Sequence, residues 1–270
     1  MRIGKLRIDW ARGKPRQDVP GAIPDSIIHF QCSVCGSVES VASRELQRET
    51  PSCHCCGSTV RFRSIALHLL RGLGFGEGSL ADLPVRKDVS GIGLSDWCGY
   101  SDLLAAKFDY TNTYYHDEPR LDICNPPARL LGTCDFVISS DVFEHAMPPS
   151  ISAFRGAASL LKPGGLLVLT VPFVPNAHTV EHYPDATGYE VDQHGKVWID
   201  SAMARYPARD PVLHGGPGAT LEMRVFGSID LVGELEAAGF EDIVLHAEAC
   251  LEAGILHRDL YSLPITARKR

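Results

Sequence analysis

No apolar run in this chain is long enough to cross a bilayer, which excludes a helical membrane anchor. The first residues, Met1 to Arg16, are basic but carry no apolar stretch, so no secretory leader is expected and a reducing cytoplasm is the default compartment. An excess of positive charge is also missing. The formal net charge is −7, which argues against broad nonspecific binding of nucleic acid. That total hides an asymmetry: residues 1–75 hold eleven Lys/Arg against six Asp/Glu, and residues 76–270 hold fifteen against twenty-seven. The 270 residues, 44% hydrophobic and 22% charged, suffice for one full domain plus a small appendage with an ordinary core.

What is present begins with two near-identical knuckles, Cys32-Ser-Val-Cys35-Gly-Ser and Cys53-His-Cys-Cys56-Gly-Ser, separated by seventeen residues. Each C-x-x-C turn can deliver two thiolates to a tetrahedral zinc, and the intervening segment is long enough to fold back as a hairpin. Cys55 blurs the register, but Cys53 and Cys56 repeat the spacing of Cys32 and Cys35. Paired disulfides are disfavoured by the reducing compartment and by an odd total of nine cysteines. Four protein ligands leave no open position, so the expected zinc is structural. Cys98, Cys124, Cys134 and Cys250 read as small buried hydrophobes.

Along the chain, Pro15, Pro20, Gly21 and Pro24 indicate an irregular arm before the knuckles. A helix is expected over Arg61 to Leu70, and Gly72, Gly74, Gly76 and Gly78 mark a boundary, giving 1–75 as arm, zinc ribbon and linker helix and 76–270 as an α/β domain. Beyond it, short apolar strands alternate with amphipathic helices, which implies a parallel sheet covered on both faces. Strands are expected at Val89–Leu94, Tyr110–His116, Phe136–Ser140, Leu166–Val171, Ile243–His246 and Leu263–Ala267. Helices are expected at Tyr100–Phe108, Ile151–Leu161 and Ile229–Ala238. Residues 174–225, rich in His, Pro and Gly, show no strand or helix period; Tyr183, Tyr189, Trp198 and Tyr206 make this an ordered lid.

The run Cys134-Asp-Phe-Val-Ile-Ser-Ser-Asp-Val-Phe-Glu-His145, followed by Leu161-Lys-Pro-Gly-Gly-Leu-Leu-Val-Leu-Thr-Val-Pro172, resembles the class I S-adenosylmethionine-dependent methyltransferases. The late helix Leu231-Val-Gly-Glu-Leu-Glu-Ala-Ala-Gly-Phe240 is similar to theirs as well. The resemblance covers most of residues 85–270 and implies a Rossmann-like sheet with S-adenosylmethionine bound beyond the carboxyl ends of the strands. It places Ser140 and Asp141 beside the cofactor, Asp117 or Glu118 at the ribose hydroxyls, and Asp122 with Ile123 near the adenine. The family's D-x-G-x-G-x-G loop does not appear. Its counterpart is Gly93-Leu-Ser95-Asp96-Trp97-Cys98-Gly99, in which only the last glycine survives, Trp97 stands where backbone normally meets cofactor, and Asp96 offers a carboxylate to the cofactor's amine. The segment from Glu118 to Leu121 is too short for the usual helix and third strand, so the sheet is expected to be trimmed at that edge.

Methyl transfer to a hydroxyl needs positioning and a base. The candidates are His145, at the mouth of the fourth strand, then His182 and Glu181; His214 and Arg224 are candidates for gripping the acceptor. The acidic body and polar lid suit O-methylation of a small molecule, sugar or glycan. One alternative is an RNA methyltransferase using the basic zinc module, although that module lacks interleaved aromatics for base stacking. Another is a non-catalytic, zinc-stabilised interaction protein whose altered loop no longer holds cofactor.

Overall fold

The computed structural model describes residues 26–214 and 220–270; most of the expected N-terminal arm lies outside the described residues. Strands β1 (Ile27–Gln31) and β2 (Val38–Ala42) form an antiparallel hairpin, in register from Ile27↔Ala42 to Gln31↔Val38. The first knuckle is the turn of this hairpin. The expectation of a hairpin between the two knuckles is therefore corrected: the hairpin straddles the first, because the alternating pattern of Ile28, Phe30 and Val41 gives both flanking strands a buried face.

Helix α1 (Val60–Gly72) starts at Thr59, whose hydroxyl accepts from Phe62 N, and runs one residue before and two beyond the expected helix. Its apolar residues Ile65, Ala66, Leu69 and Leu70 are buried. Then follow β3 (Arg86–Leu94), α2 (Cys98–Lys107), β4 (Phe108–Thr113), β5 (Cys134–Ser140), α3 (Ile151–Leu160) and β6 (Leu161–Thr170). The lid contributes β7 (Phe173–Val174), β8 (Val180–Glu181), β9 (Ala186–Val191), β10 (Val197–Ser201), β11 (Arg205–Pro207), β12 (Leu213–His214), β13 (Thr220–Leu221) and β14 (Arg224–Gly227). The chain closes with α4 (Ser228–Ala237), β15 (Phe240–Leu245) and β16 (Ile265–Lys269).

The main sheet has six strands in the order β15-β16-β6-β5-β3-β4. Strands β4, β3, β5 and β6 are parallel, whereas β16 runs antiparallel to both β6 and β15. This corrects the expectation of a parallel sheet throughout. The central strands are apolar on both faces, with Phe136, Val137, Ile138, Leu167, Val168 and Leu169 all buried. Among the described residues β4 is the edge strand, and the path from Tyr114 to Thr133 holds only an isolated bridge and a short 3-10 turn, as a trimmed third strand requires.

The glycines at 72–78 interrupt the chain but not the core. Phe30, Val34 and Leu46 of the knuckle region share one buried cluster with α1, Tyr100, Phe108, Phe136 and Val168. Residues 1–75 and 76–270 are thus joined by continuous packing on one face of the sheet, with α1 as the covering helix. The segment expected as an ordered lid is ordered, though its strands left no period in the sequence. It is built from very short strands around a small core of its own, Tyr183, Ala186, Val197, Ile199, Leu221 and Met223.

Candidate functional site

In open α/β sheets, ligands gather beyond the carboxyl ends of the strands. Two turns matter here. At the end of β5, Asp141 adopts φ +54 and aims its carboxylate sideways. Arg48 Nη2 donates to both oxygens at 2.8 Å and also to Ser262 Oγ. Arg61 Nη1 donates to Ser140 Oγ at 2.7 Å and lies 3.4 Å from Asp141. Thr170 Oγ1 donates to the same carboxylate. Burial alone would push the Asp141 carboxyl up, but the two guanidinium groups outweigh it and hold it below the ordinary value. Both arginines come from the knuckle region and its helix, so the N-terminal module reaches into the end of β5.

Three residues further, a 3-10 turn over Phe143–His145 places two groups under the lid. Glu144 is 0% exposed and neither carboxylate oxygen has a hydrogen-bond partner. Burial holds its carboxyl well above the ordinary range. His145 Nδ1 lies 2.9 Å from Leu221 O, and its Nε2 lies 3.0 Å from His214 Nδ1. Burial pushes the His145 ring down, against the hydrogen bond to the Leu221 carbonyl. Glu222 then sits between two lid histidines, 3.2 Å from His182 Nε2 and 3.5 Å from His214 Nε2. The structure therefore brings His145, His182 and His214 together across two lid strands and the turn after β5.

Glu181 and Arg224 stand apart from this group. Arg224 is fully buried; its Nε donates to Glu181 at 2.7 Å and its Nη1 to the carbonyls of Phe143 and Ala146. This pair clamps the lid to the β5 turn, with Glu181 Oε2 and Arg224 Nη2 left without a hydrogen-bond partner.

The end of β3 is built the other way. Ser95 has φ +56 and is exposed, while Asp96 is 5% exposed and faces inward. Tyr100 and Tyr110 each donate a hydroxyl to it at 2.6 Å. A Cβ on Gly93 would stand 1.9 Å from the Tyr110 hydroxyl, so this glycine admits the buried carboxylate. Trp97 folds over Gly99 and stacks on Phe62 of α1, centroids 4.5 Å apart. Asp96, expected to offer its carboxylate to a cofactor amine, is occupied here by the two tyrosine hydroxyls. Beyond β4, Asp117 and Glu118 are exposed, Asp122 is half-buried and caps Cys124 N, and the Ile123 side chain lies in the core.

The four knuckle thiols converge. Cys32 and Cys56 Sγ are 3.8 Å apart, Cys35 and Cys53 Sγ 3.6 Å, and all four lie within 4.8 Å of one another. A tetrahedral zinc with Zn–S near 2.3 Å requires sulfur pairs about 3.8 Å apart. Cys55 is exposed and outside the cluster. Beneath it lies Arg63, 0% exposed, bonded to the Gly254 and Ser58 carbonyls and Ser52 Oγ but to no carboxylate. A thiolate–metal centre carries the negative charge that this buried cation lacks.

Arg48, Arg61, Arg63, Glu144 and Glu222 were not singled out from sequence. Glu144 was within reach, being the neighbour of His145 in the quoted motif. The arginines were not, because each makes a bond that spans 79 to 214 residues of chain.

The methyltransferase domain family matches residues 72–209, just over half of the chain. No curated protein matches it. Similar solved structures include the 1,6-didemethyltoxoflavin-N1-methyltransferase of Burkholderia thailandensis, at 15% identity and a TM-score of 0.44, covering 78% of this chain and 77% of that one. An S-adenosylmethionine-dependent methyltransferase of Clostridium acetobutylicum aligns at 13% identity and 0.40, covering 77% and 98%. A putative methyltransferase in complex with the Trm112 activator of Haloferax volcanii aligns at 15% and 0.39, covering 70% and 86%. With the family match covering β3 to β11, the chain belongs to the methyltransferase domain family.

Proposed function

We propose that the enzyme methylates an oxygen of a small polyhydroxylated acceptor, a sugar or glycan unit, bound between the lid and the turn after β5. The observation that carries this reading is the cluster of His145, His182, His214 and Glu222 under the lid. Imidazoles held by carbonyl and carboxylate partners can orient a hydroxyl and accept its proton. When bound, S-adenosylmethionine supplies an electrophilic methyl group. Exposed Ser95, Asp117 and Glu118, at the ends of β3 and β4, suit its amine and ribose hydroxyls. Arg61, beside Ser140, suits its carboxylate. Zinc on Cys32, Cys35, Cys53 and Cys56 is proposed as structural, stabilising the module that carries Arg48 and Arg61 to Asp141.

The described surface does not favour RNA as acceptor. Of the module's described arginines, Arg48 and Arg61 turn to Asp141, Arg63 is buried and Arg71 pairs with Glu77, while Arg44 is exposed. The test is calorimetric titration of zinc-loaded protein with S-adenosylhomocysteine, then transfer of labelled methyl to sugars, nucleotide sugars and RNA. Micromolar binding, about −8 kcal/mol, with label on a hydroxylated small molecule supports the proposal. Binding with label only on RNA overturns it.

A further inference from the structure

We infer that Glu144, His145 and His214 form a second metal site, which binds a divalent cation through nitrogen and oxygen and presents it to the acceptor hydroxyl. This deepens the proposed O-methylation and rests on it for the role, though not for the site.

The hydrogen-bond pattern is the first reason. Leu221 O can only accept, so His145 carries its proton on Nδ1 and turns the Nε2 lone pair toward His214. On the far side of His214, Nε2 lies 3.5 Å from the Glu222 carboxylate, and its Nδ1 lies 3.0 Å from His145 Nε2. With the His214 proton on Nε2, the two facing nitrogens present lone pairs that a cation can accept. Metal-bound histidines show this arrangement, with the outer N–H given to a carbonyl or carboxylate and the inner nitrogen left bare. Two nitrogens about 2.1 Å from one metal sit roughly 3.0–3.4 Å apart.

Glu144 is the second reason. A carboxylate 0% exposed with both oxygens unpartnered is costly unless a cation meets it. Its Oε1 is 3.8 Å from His145 Nε2, and its oxygen and the two histidine nitrogens all lie within 4.8 Å of one another. Arg48, the arginine whose attraction Glu144 feels, is spent on Asp141 and Ser262 and makes no hydrogen bond to Glu144.

Two imidazoles and one carboxylate on one side of a cation leave positions open for water or substrate oxygen. Glu144 and His145 come from the β5 turn and His214 from the lid, so the cation would also tie the lid shut. A hydroxyl on such a cation loses its proton more readily. The O–H bond breaks, its electron pair stays on the metal-held oxygen, and the proton passes to the His182–Glu222 pair. His145 and His214 then serve as ligands, and His182 is the remaining base.

Manganese is the probe, because hard Mn(II) favours this donor set and leaves a zinc-filled thiolate site alone. Zinc-loaded full-length protein is titrated with Mn(II) and free ion is followed by electron paramagnetic resonance. One bound Mn(II) per chain is expected beyond the zinc. Glu144→Gln and the half-buried lid variant His214→Ala should each weaken it by more than about tenfold while zinc content and the unfolding midpoint hold. No Mn(II) binding to the parent, or equal binding to parent and His214→Ala, overturns the site. The two proposals separate cleanly. Mn(II) binding without methylation of any hydroxylated acceptor refutes the acceptor reading alone, and full activity in metal-stripping chelator with zinc retained refutes the role of the cation.

Discussion

The chain leaves β3 and β5 by the same backbone device, a non-glycine residue with positive φ just after the strand, yet the two ends differ in every other respect. After β3, Asp96 turns inward and is closed off by Tyr100 and Tyr110, with Trp97 stacked outside. After β5, Asp141 turns toward two arginines from the knuckle module, and Glu144 and His145 turn toward the lid. The end of β3 is closed by Tyr100 and Tyr110 from the next helix and strand, with Phe62 of α1 against Trp97. The end of β5 is held by segments from both ends of the main sheet's sequence. Reactive chemistry therefore collects over β5, where three parts of the chain meet, and the altered loop after β3 is a packed wall.

The strongest way to break this contrast is to remove the zinc. Cys56→Ser is expected to release the metal and to cost several of the roughly 10 kcal/mol or more that structural zinc contributes in small domains. Because Phe30, Val34 and Leu46 share a core with Tyr100 and Phe136, thermal unfolding of the whole chain should shift down as one transition. Metal retained in the variant would show the ligand set to be wrong. Next in size is Asp141→Ala, which strands Arg48 and Arg61 at a partly buried turn. A loss of about 2–3 kcal/mol in urea unfolding is expected, between the values for exposed and buried ion pairs. A loss under about 0.5 kcal/mol would mean that the arms from the module do not hold the end of β5.

The strands and helices of the sheet were legible because their signals are local. Phe136–Ser140 and Leu166–Val171 are continuous apolar runs, and Gly239 stops α4 as expected. The structure extends β3 back to Arg86 and β6 back to Leu161, since exposed ends pair by register without an apolar pattern. The lid was illegible in detail. Strands of two to six residues carry almost no period, and β8 and β14 owe their pairing to Arg224, which reaches 43 residues back to Glu181. The convergence of Cys32, Cys35, Cys53 and Cys56 followed from spacing alone. The direction in which Asp96 turns was illegible, because a carboxylate in a loop reads the same whether it faces cleft or core; only the tyrosine at 110, on the neighbouring strand, decides.

That buried carboxylate yields the smallest effect and the sharpest test of the closed wall at β3. Burial pushes the Asp96 carboxyl from its ordinary 3.8 up to about 7, against the two tyrosine hydrogen bonds and the attraction of Arg61. The folded chain then holds this proton more tightly than the unfolded chain. Its contribution to stability is complete below about pH 4 and is lost as pH rises toward and through 7, with a slope of at most about 1.4 kcal/mol per pH unit. Asp96→Asn cannot ionise, so urea midpoints measured from acid to neutral should lose that downward slope in the variant while the parent keeps it. Parallel curves for the two proteins would mean that Asp96 stays charged in the fold, and that water reaches the end of β3 as freely as the end of β5.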